Sequence, residues 1–378
     1  MIKLCFKRFI SIHLLFIFLV NINLNALENK SISDAELKKM IGQMIIIGFD
    51  DANITEQSPI VQTINRYNIG GVILFDRFYE DKKKIKNIQN PKQLQLLTSN
   101  LKNFTHNKLI ISIDQEGGKV QRLKKSYGFP STLSAKEISQ RSKLEAKEHY
   151  QNMATMLSLN GINTNFAPVV DLSINEENFV INGLERSYGS NPQNVTQYAS
   201  IFMQALQSKK IVSVLKHFPG HGSSKDDSHK GFVDISDTWN KIELEPYKKL
   251  IKQNQVDMIM TAHVFNKNLD KTYPATLSYK VNTQLLREKL NYNGIIVSDD
   301  LQMKAITQHY TLKNTVTLVI NAGVDILLFG NQLASQDTDE LINTIFAQVK
   351  NGSISYQRIK ESNQRINSLK NSLTREIQ

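Results

Sequence analysis

The run Lys216-His-Phe-Pro-Gly-His-Gly-Ser-Ser-Lys-Asp-Asp-Ser-His229 gathers the groups best suited to moving protons: His217, His221, Asp226, Asp227 and His229. Imidazole titrates near neutral pH, so a loop rich in His and Asp is suited to general acid–base work. Pro219, Gly220 and Gly222 break any ladder and favour a loop. In Asp227-x-His229 the carboxylate can orient the imidazole and favour its charged form. His229 can then protonate a leaving oxygen while a carboxylate elsewhere, Asp299, attacks from the opposite side, the two roles a retaining glycosidase needs. Two rival chemistries fit less well. Pro219 forbids the helix that would align His217 with His221 on a metal, and zinc wants ligands from a fixed frame. Asp227, Ser228 and His229 are neighbours on one loop and cannot line up as a triad.

Other candidates are scattered along the chain. Asp299 in Val297-Ser-Asp-Asp-Leu301 is open to four readings: nucleophile, base, metal ligand, or cap of the following helix. Asp114 precedes Gln115-Glu-Gly-Gly118, where paired glycines let backbone approach a ligand closely, and Arg122 can return to the same mouth. The alternative there is a structural turn with a buried salt bridge. Arg186 lies in a turn-rich loop, where a guanidinium either grips hydroxyls or a carboxylate or is a surface charge.

The elements that must position these groups repeat. Apolar runs at 43–49, 72–75, 109–113, 163–166, 211–215, 257–261, 294–298 and 325–329 alternate with helical patterns at about 59–67, 92–106, 142–159, 193–209, 247–254, 281–290 and 314–322. An amphipathic helical pair follows over 338–373. Eight short strands alternating with helices predict an α/β chain folded as a single-domain (β/α)8 barrel. The runner-up, an open doubly wound sheet, would show a Gly-rich turn after an early strand, and none is found. A barrel of this kind carries its site at the C-terminal ends of the strands. Those ends read Asp50, Asp76, Asp114, Asp171, Lys216-His217, His263, Asp299 and Gly330.

Lys3, Lys7 and Arg8, the apolar run Phe9–Val20 and Leu24-Asn-Ala26 read as a secretory signal peptide, residues 1–26, cleaved after Ala26 or kept as an anchor. The catalytic domain is expected over 27–378. The location that follows is periplasmic or secreted, or cytoplasmic should the leader not function. The single cysteine, Cys5, precedes the apolar run, so a mature chain has no disulfide and no thiolate metal site. The formal charge of +11 falls to 11 − 3 = +8 without the leader. Lysines are spread throughout, so the charge does not argue for nucleic acid.

The loop Lys216–Gly222 followed by Asp227-Ser-His229 resembles the hallmark of NagZ-type β-N-acetylglucosaminidases (β-N-acetylhexosaminidases) of glycoside hydrolase family 3. Further stretches agree in order: Gly70–Phe75, Ile113–Leu123, Phe166–Asp171, Glu185–Gly189, Met260–His263, Pro274–Ser278 and Val297–Met303. The similarity runs from about 37 to 370. It implies a TIM barrel that hydrolyses terminal β-linked N-acetylglucosamine through a covalent glycosyl–enzyme. By resemblance Asp299 falls on the nucleophile, His229 on the acid/base and Asp227 on its partner. Asp114, Arg122, Arg186, Lys216 and His217 fall on sugar-binding positions. No metal or cofactor is implied, and the expected partner of a monomer is a small carbohydrate or muropeptide.

The family's strand-two motif usually continues Arg-Asn, whereas Arg77 is followed here by Phe78. The leader also departs from cytosolic relatives that recycle wall fragments, and moves the expected substrate toward murein itself. The rival activities are a family 3 β-glucosidase, an N-acetylglucosaminide phosphorylase and a non-catalytic murein-binding protein. The β-glucosidases take their acid/base from a second domain, for which the fifty or so residues after the eighth strand are too few.

Overall fold

The computed structural model describes residues 32–106, 108–227 and 231–372. The expected leader, its cleavage point and His229 lie outside these residues. The chain divides into two compact units, residues 1–37 and 38–378, and the barrel belongs to the second.

Among the described residues ten strands form: β1 Ile45–Gly48, β2 Gly71–Leu74, β3 Ile110–Ile113, β4 Thr164–Asn165, β5 Val212–Phe218, β6 Val233–Asp234, β7 Met258–Thr261, β8 Val264–Phe265, β9 Ile295–Val297 and β10 Leu327–Phe329. Eight of them make one parallel sheet in the order β10-β1-β2-β3-β4-β5-β7-β9. A parallel bridge between Val297 and Ile326, with Ser298 N–H donating to Ile326 O at 2.9 Å, brings its two edges together. This is a TIM barrel, as the alternation predicts. Its strands are short apolar runs because both faces of a parallel sheet are covered.

β4 is the exception, since Thr164 and Asn165 are polar. Side-chain amides substitute for ladder bonds there. Asn163 Oδ1 accepts from Ile111 N–H (2.8 Å) and its Nδ2 donates to Leu109 O (2.9 Å). Asn165 bonds both the N–H and the C=O of Gln115 at 2.9 Å. The expected helices are found at Pro59–Tyr67, Pro91–Phe104, Lys143–Leu159, Pro192–Gln207, Glu245–Lys252, Lys280–Lys289 and Leu312–Asn321, with Thr338–Lys350 and Tyr356–Ser372 as the closing pair. The small parallel sheet β6–β8 has no counterpart in the sequence reading. It pins the far end of the His-rich loop to the chain leaving β7.

The closing helix is held by one buried carboxylate. Asp325, fully buried before β10, accepts from Arg358 (2.7 Å), Arg365 (3.2 Å), Ser362 (3.0 Å) and the Ile296 amide (3.1 Å), and is paired with Arg287 as well. Burial alone would raise its carboxyl, but the three guanidinium groups outweigh it and hold it below the usual range. Asp325→Asn leaves these cations without their counter-ion and is expected to cost about 3–5 kcal/mol. Thermal unfolding followed by circular dichroism checks this, and an unchanged Tm contradicts it.

Candidate active site

Asp114, Arg122, Arg186, Lys216, His217, Asp227 and Asp299 all line one cavity of about 380 Å³. It opens at the C-terminal ends of the strands, where this fold carries its chemistry. Its apolar lining includes Ile73, Phe75, Phe166, Met260 and Leu328. A cavity of this size suits a small ligand held by a few convergent polar groups.

Those groups form a chain of alternating charge. Arg122 donates to Asp114 Oδ2 at 3.1 Å, and Lys216 Nζ meets Asp114 Oδ1 at 2.9 Å and Glu116 Oε1 at 2.7 Å. Arg186 grips Glu116 with two parallel bonds of 2.7 Å. Its next N–H faces His217 Nε2 at 3.4 Å, and His217 Nδ1 lies 2.7 Å from Asp171 Oδ2. A carboxylate only accepts and a guanidinium only donates, so Nδ1 carries the hydrogen and Nε2 turns its lone pair to Arg186. Asp171 also accepts the backbone N–H groups of His217 (3.1 Å) and His221 (2.8 Å).

Three cations (Arg122, Lys216, Arg186) thus face three carboxylates (Asp114, Glu116, Asp171). Burial would raise each carboxyl. Lys216 and Arg122 instead hold Asp114 low, Arg186 and Lys216 bring Glu116 down to about 2, and His217 with His221 lowers Asp171. Burial works against the charge on Lys216 and Arg186 too, but the carboxylates prevail and push both upward. Asp114, Glu116, Asp171, Lys216 and Arg186 therefore stay ionised at neutral pH.

Most donors in this chain are already committed. Arg186 spends its Nε and NH2 groups on Glu116 and His217 and reaches Val180 O with NH1 at 3.3 Å. Its reading as a surface charge is excluded by burial. Arg122 Nε is buried and has no hydrogen-bond partner among the described residues, leaving a donor unspent at the cavity wall.

Asp299 does not cap a helix. The helix after it starts at Lys304 with Met303 at the cap position. Asp299 Oδ1 accepts the Asp300 amide at 2.8 Å. The structural turn belongs to Asp300, whose Oδ1 accepts from Gln302 (3.0 Å) and Gly330 (3.3 Å). His263 lies outside the cavity lining and props this turn, with Nε2 2.9 Å from Asp300 O. Of the other strand ends, Asp50 pairs with Lys86, and Asp76, which also lines the cavity, pairs with Lys124.

Two expectations are corrected in detail. Gly117 and Gly118 do not bring backbone to the cavity. A Cβ on Gly117 would lie 2.0 Å from Leu133 O, and one on Gly118 2.5 Å from the Ser134 side chain, so they let the loop pass residues 132–134. The strand that opens the Lys216–His229 run, expected over 211–215, extends as β5 to Phe218. His217 is thereby fixed on the strand, and the turn begins at Pro219.

Glu116 was not singled out from the sequence, and Asp171 was named there only as a strand end, with no role. The available signal was spacing: Glu116 lies two residues beyond Asp114, so both can reach Lys216.

Residues 36–369 match the family model described as the glycosyl hydrolase family 3 N-terminal domain. The chain belongs to glycosyl hydrolase family 3. It is 33% identical to a family relative, beta-hexosaminidase A of Pseudoalteromonas piscicida, over 85% of this chain and 56% of that protein. It is 36% identical to a beta-hexosaminidase of Tolumonas auensis, over 70% of this chain and 77% of that one. The solved structure of a family 3 beta-N-acetylglucosaminidase from Paenibacillus sp. str. FPU-7 matches with a TM-score of 0.80 at 30% identity, over 90% of this chain and 64% of that one. This family 3 chain thus spans little more than half of the first relative's length.

Proposed function

We propose that this protein is a retaining, exo-acting β-N-acetylglucosaminidase that releases terminal β-linked N-acetylglucosamine from peptidoglycan fragments. The observation that carries the reading is the convergence of Asp227 and Asp299 on one cavity whose wall is a charge-balanced array of sugar-sized reach. The beta-hexosaminidase names of its relatives support the choice of sugar.

In this reading Asp299 attacks the anomeric carbon as the glycosidic bond breaks, and the leaving oxygen takes a proton from His229, oriented by Asp227. Water then displaces Asp299, with His229 accepting its proton. Asp114 accepts from sugar hydroxyls. Arg122, through its unspent Nε–H, and Lys216, through its third N–H, donate to them. The long Arg186–His217 contact is where another hydroxyl enters at least cost. The basic, then apolar, leader supports action in the periplasm, as a monomer on murein or its freshly released pieces.

The test is product analysis on defined muropeptides, with and without phosphate, and a slow fluorinated N-acetylglucosaminyl donor mapped to its attachment site. Labelled Asp299 supports the reading, and a label on another residue contradicts it. Phosphorolysis would show a sugar phosphate only in the phosphate arm. His229→Ala is expected to slow poor leaving groups on the order of 10²–10⁴-fold, and good leaving groups far less. Equal slowing of both classes removes His229 from the acid role.

A further inference from the structure

The elbow that starts the Asp227–His229 segment rests on a buried carboxyl the mechanism does not use. Glu243 lies in the turn Lys241–Leu244 and is almost wholly enclosed. Its Oε2 accepts the Gly222 amide at 2.9 Å. Both elbow glycines are explained by crowding. A Cβ on Gly220 (φ 120°) would meet the Glu243 side chain at 2.6 Å, and one on Gly222 would lie 1.8 Å from Leu172 O. The other carboxyl oxygen, Oε1, is buried without a hydrogen-bond partner among the described residues, as are Ser223 Oγ and the Tyr247 hydroxyl. Ser223 approaches Glu243 without a well-formed hydrogen bond. The rest of the elbow is firmly tied. Asn178 Nδ2 donates to His221 O (2.8 Å) and Gly222 O (3.1 Å), and Trp239 Nε1 donates to Pro219 O at 3.1 Å.

We propose that Glu243 is a positioning residue beneath this elbow, and that its loss of a proton shifts the elbow that leads into the proposed proton-donor segment. The proposal rests on reading that segment as the proton donor. A neutral carboxyl fits the enclosed site. An ionised one has a bare buried oxygen, which is costly, and draws water or moves the elbow to reach it. Burial pushes the carboxyl up to about 7, and Asp171, six residues beyond β4, adds to the push. The Gly222 and Asn240 amides and Ser223 pull the other way. Among the described residues Tyr247, on the following helix, also faces it, and burial holds that phenol well above its usual range. A carboxyl raised in the fold contributes stability fully present below its unfolded value and lost as pH rises through about 7.

The chain carries its own reporter. Trp239 is the single tryptophan and is bonded to the elbow. Intrinsic fluorescence of the full chain, titrated from about pH 5.5 to about pH 8.5, should show a transition centred near 7 in the wild type and none in Glu243→Gln. The Tm of Glu243→Gln should also cease to fall across that range relative to wild type. The same transition in both proteins, or none in the wild type, overturns the proposal. Should Glu243→Gln not fold, Glu243→Asp retracts the carboxyl by one methylene and must move the midpoint. An unmoved midpoint overturns the proposal equally. Failure of the glycosidase reading would appear separately, as absent turnover with the fluorescence transition intact.

Discussion

Asp299→Ala is expected to lower kcat on an aryl β-N-acetylglucosaminide by at least about 10⁴-fold while the protein still folds, because in the proposed mechanism the residue supplies the bond-forming atom and no neighbour replaces it. Asp300, next in sequence, is spent on the turn through Gln302 and Gly330. Asp299→Asn keeps the shape and shows a comparable loss, which separates chemistry from packing. Azide added to Asp299→Ala should restore turnover with an activated leaving group. It attacks the anomeric carbon from the vacated side and gives the α-glycosyl azide. A mild loss in either variant, or rescue yielding the β-azide, removes Asp299 from the nucleophile position.

Glu116→Gln has the second largest expected effect, and acts on both stability and turnover. Glu116 takes two bonds from Arg186 and one from Lys216, all at 2.7 Å. Losing the charge leaves two buried cations short of an anion, at a cost of about 3–5 kcal/mol. That is a fall in Tm on the order of 10 °C in calorimetry. Lys216 and Arg186 would also drift, so kcat/KM falls with the stability. The acid limb follows from the same residue. Its carboxyl is brought down to about 2 by Arg186 and Lys216, so its stabilisation is present above the ordinary glutamate range and lost as pH falls toward 2. The variant should lose less on acidification than the wild type. An unchanged Tm, or an unchanged acid limb, would show the network to be dispensable.

The barrel was legible because most of its strands are apolar runs of strand length that lead into a polar residue, a pattern that survives without tertiary context. β6 and β8 were not, since two residues carry no period. β4 was readable only through its neighbours, because Asn163 and Asn165 do by side chain what a longer strand does by backbone. Within the site, Asp114, Arg122, Lys216 and Asp299 stood out because they end strands or follow a turn. Arg186 left two readings open, since nothing local says that a loop arginine will be buried against Glu116, seventy residues away. Glu243 gave no signal. Its importance comes from what lies across the chain from it, the amide of Gly222.

The alternating ions from Arg122 to Asp171 also constrain how this scaffold can diverge. Asp114, Lys216 and Glu116 each lie between two groups of opposite sign, so a lone exchange strands both. Under the proposed function, a shift in sugar preference must therefore arrive as matched pairs, Lys216 together with Asp114 or Arg186 together with Glu116. A combinatorial library that varies these positions singly should return almost no working enzymes, while one that swaps them two at a time should recover some.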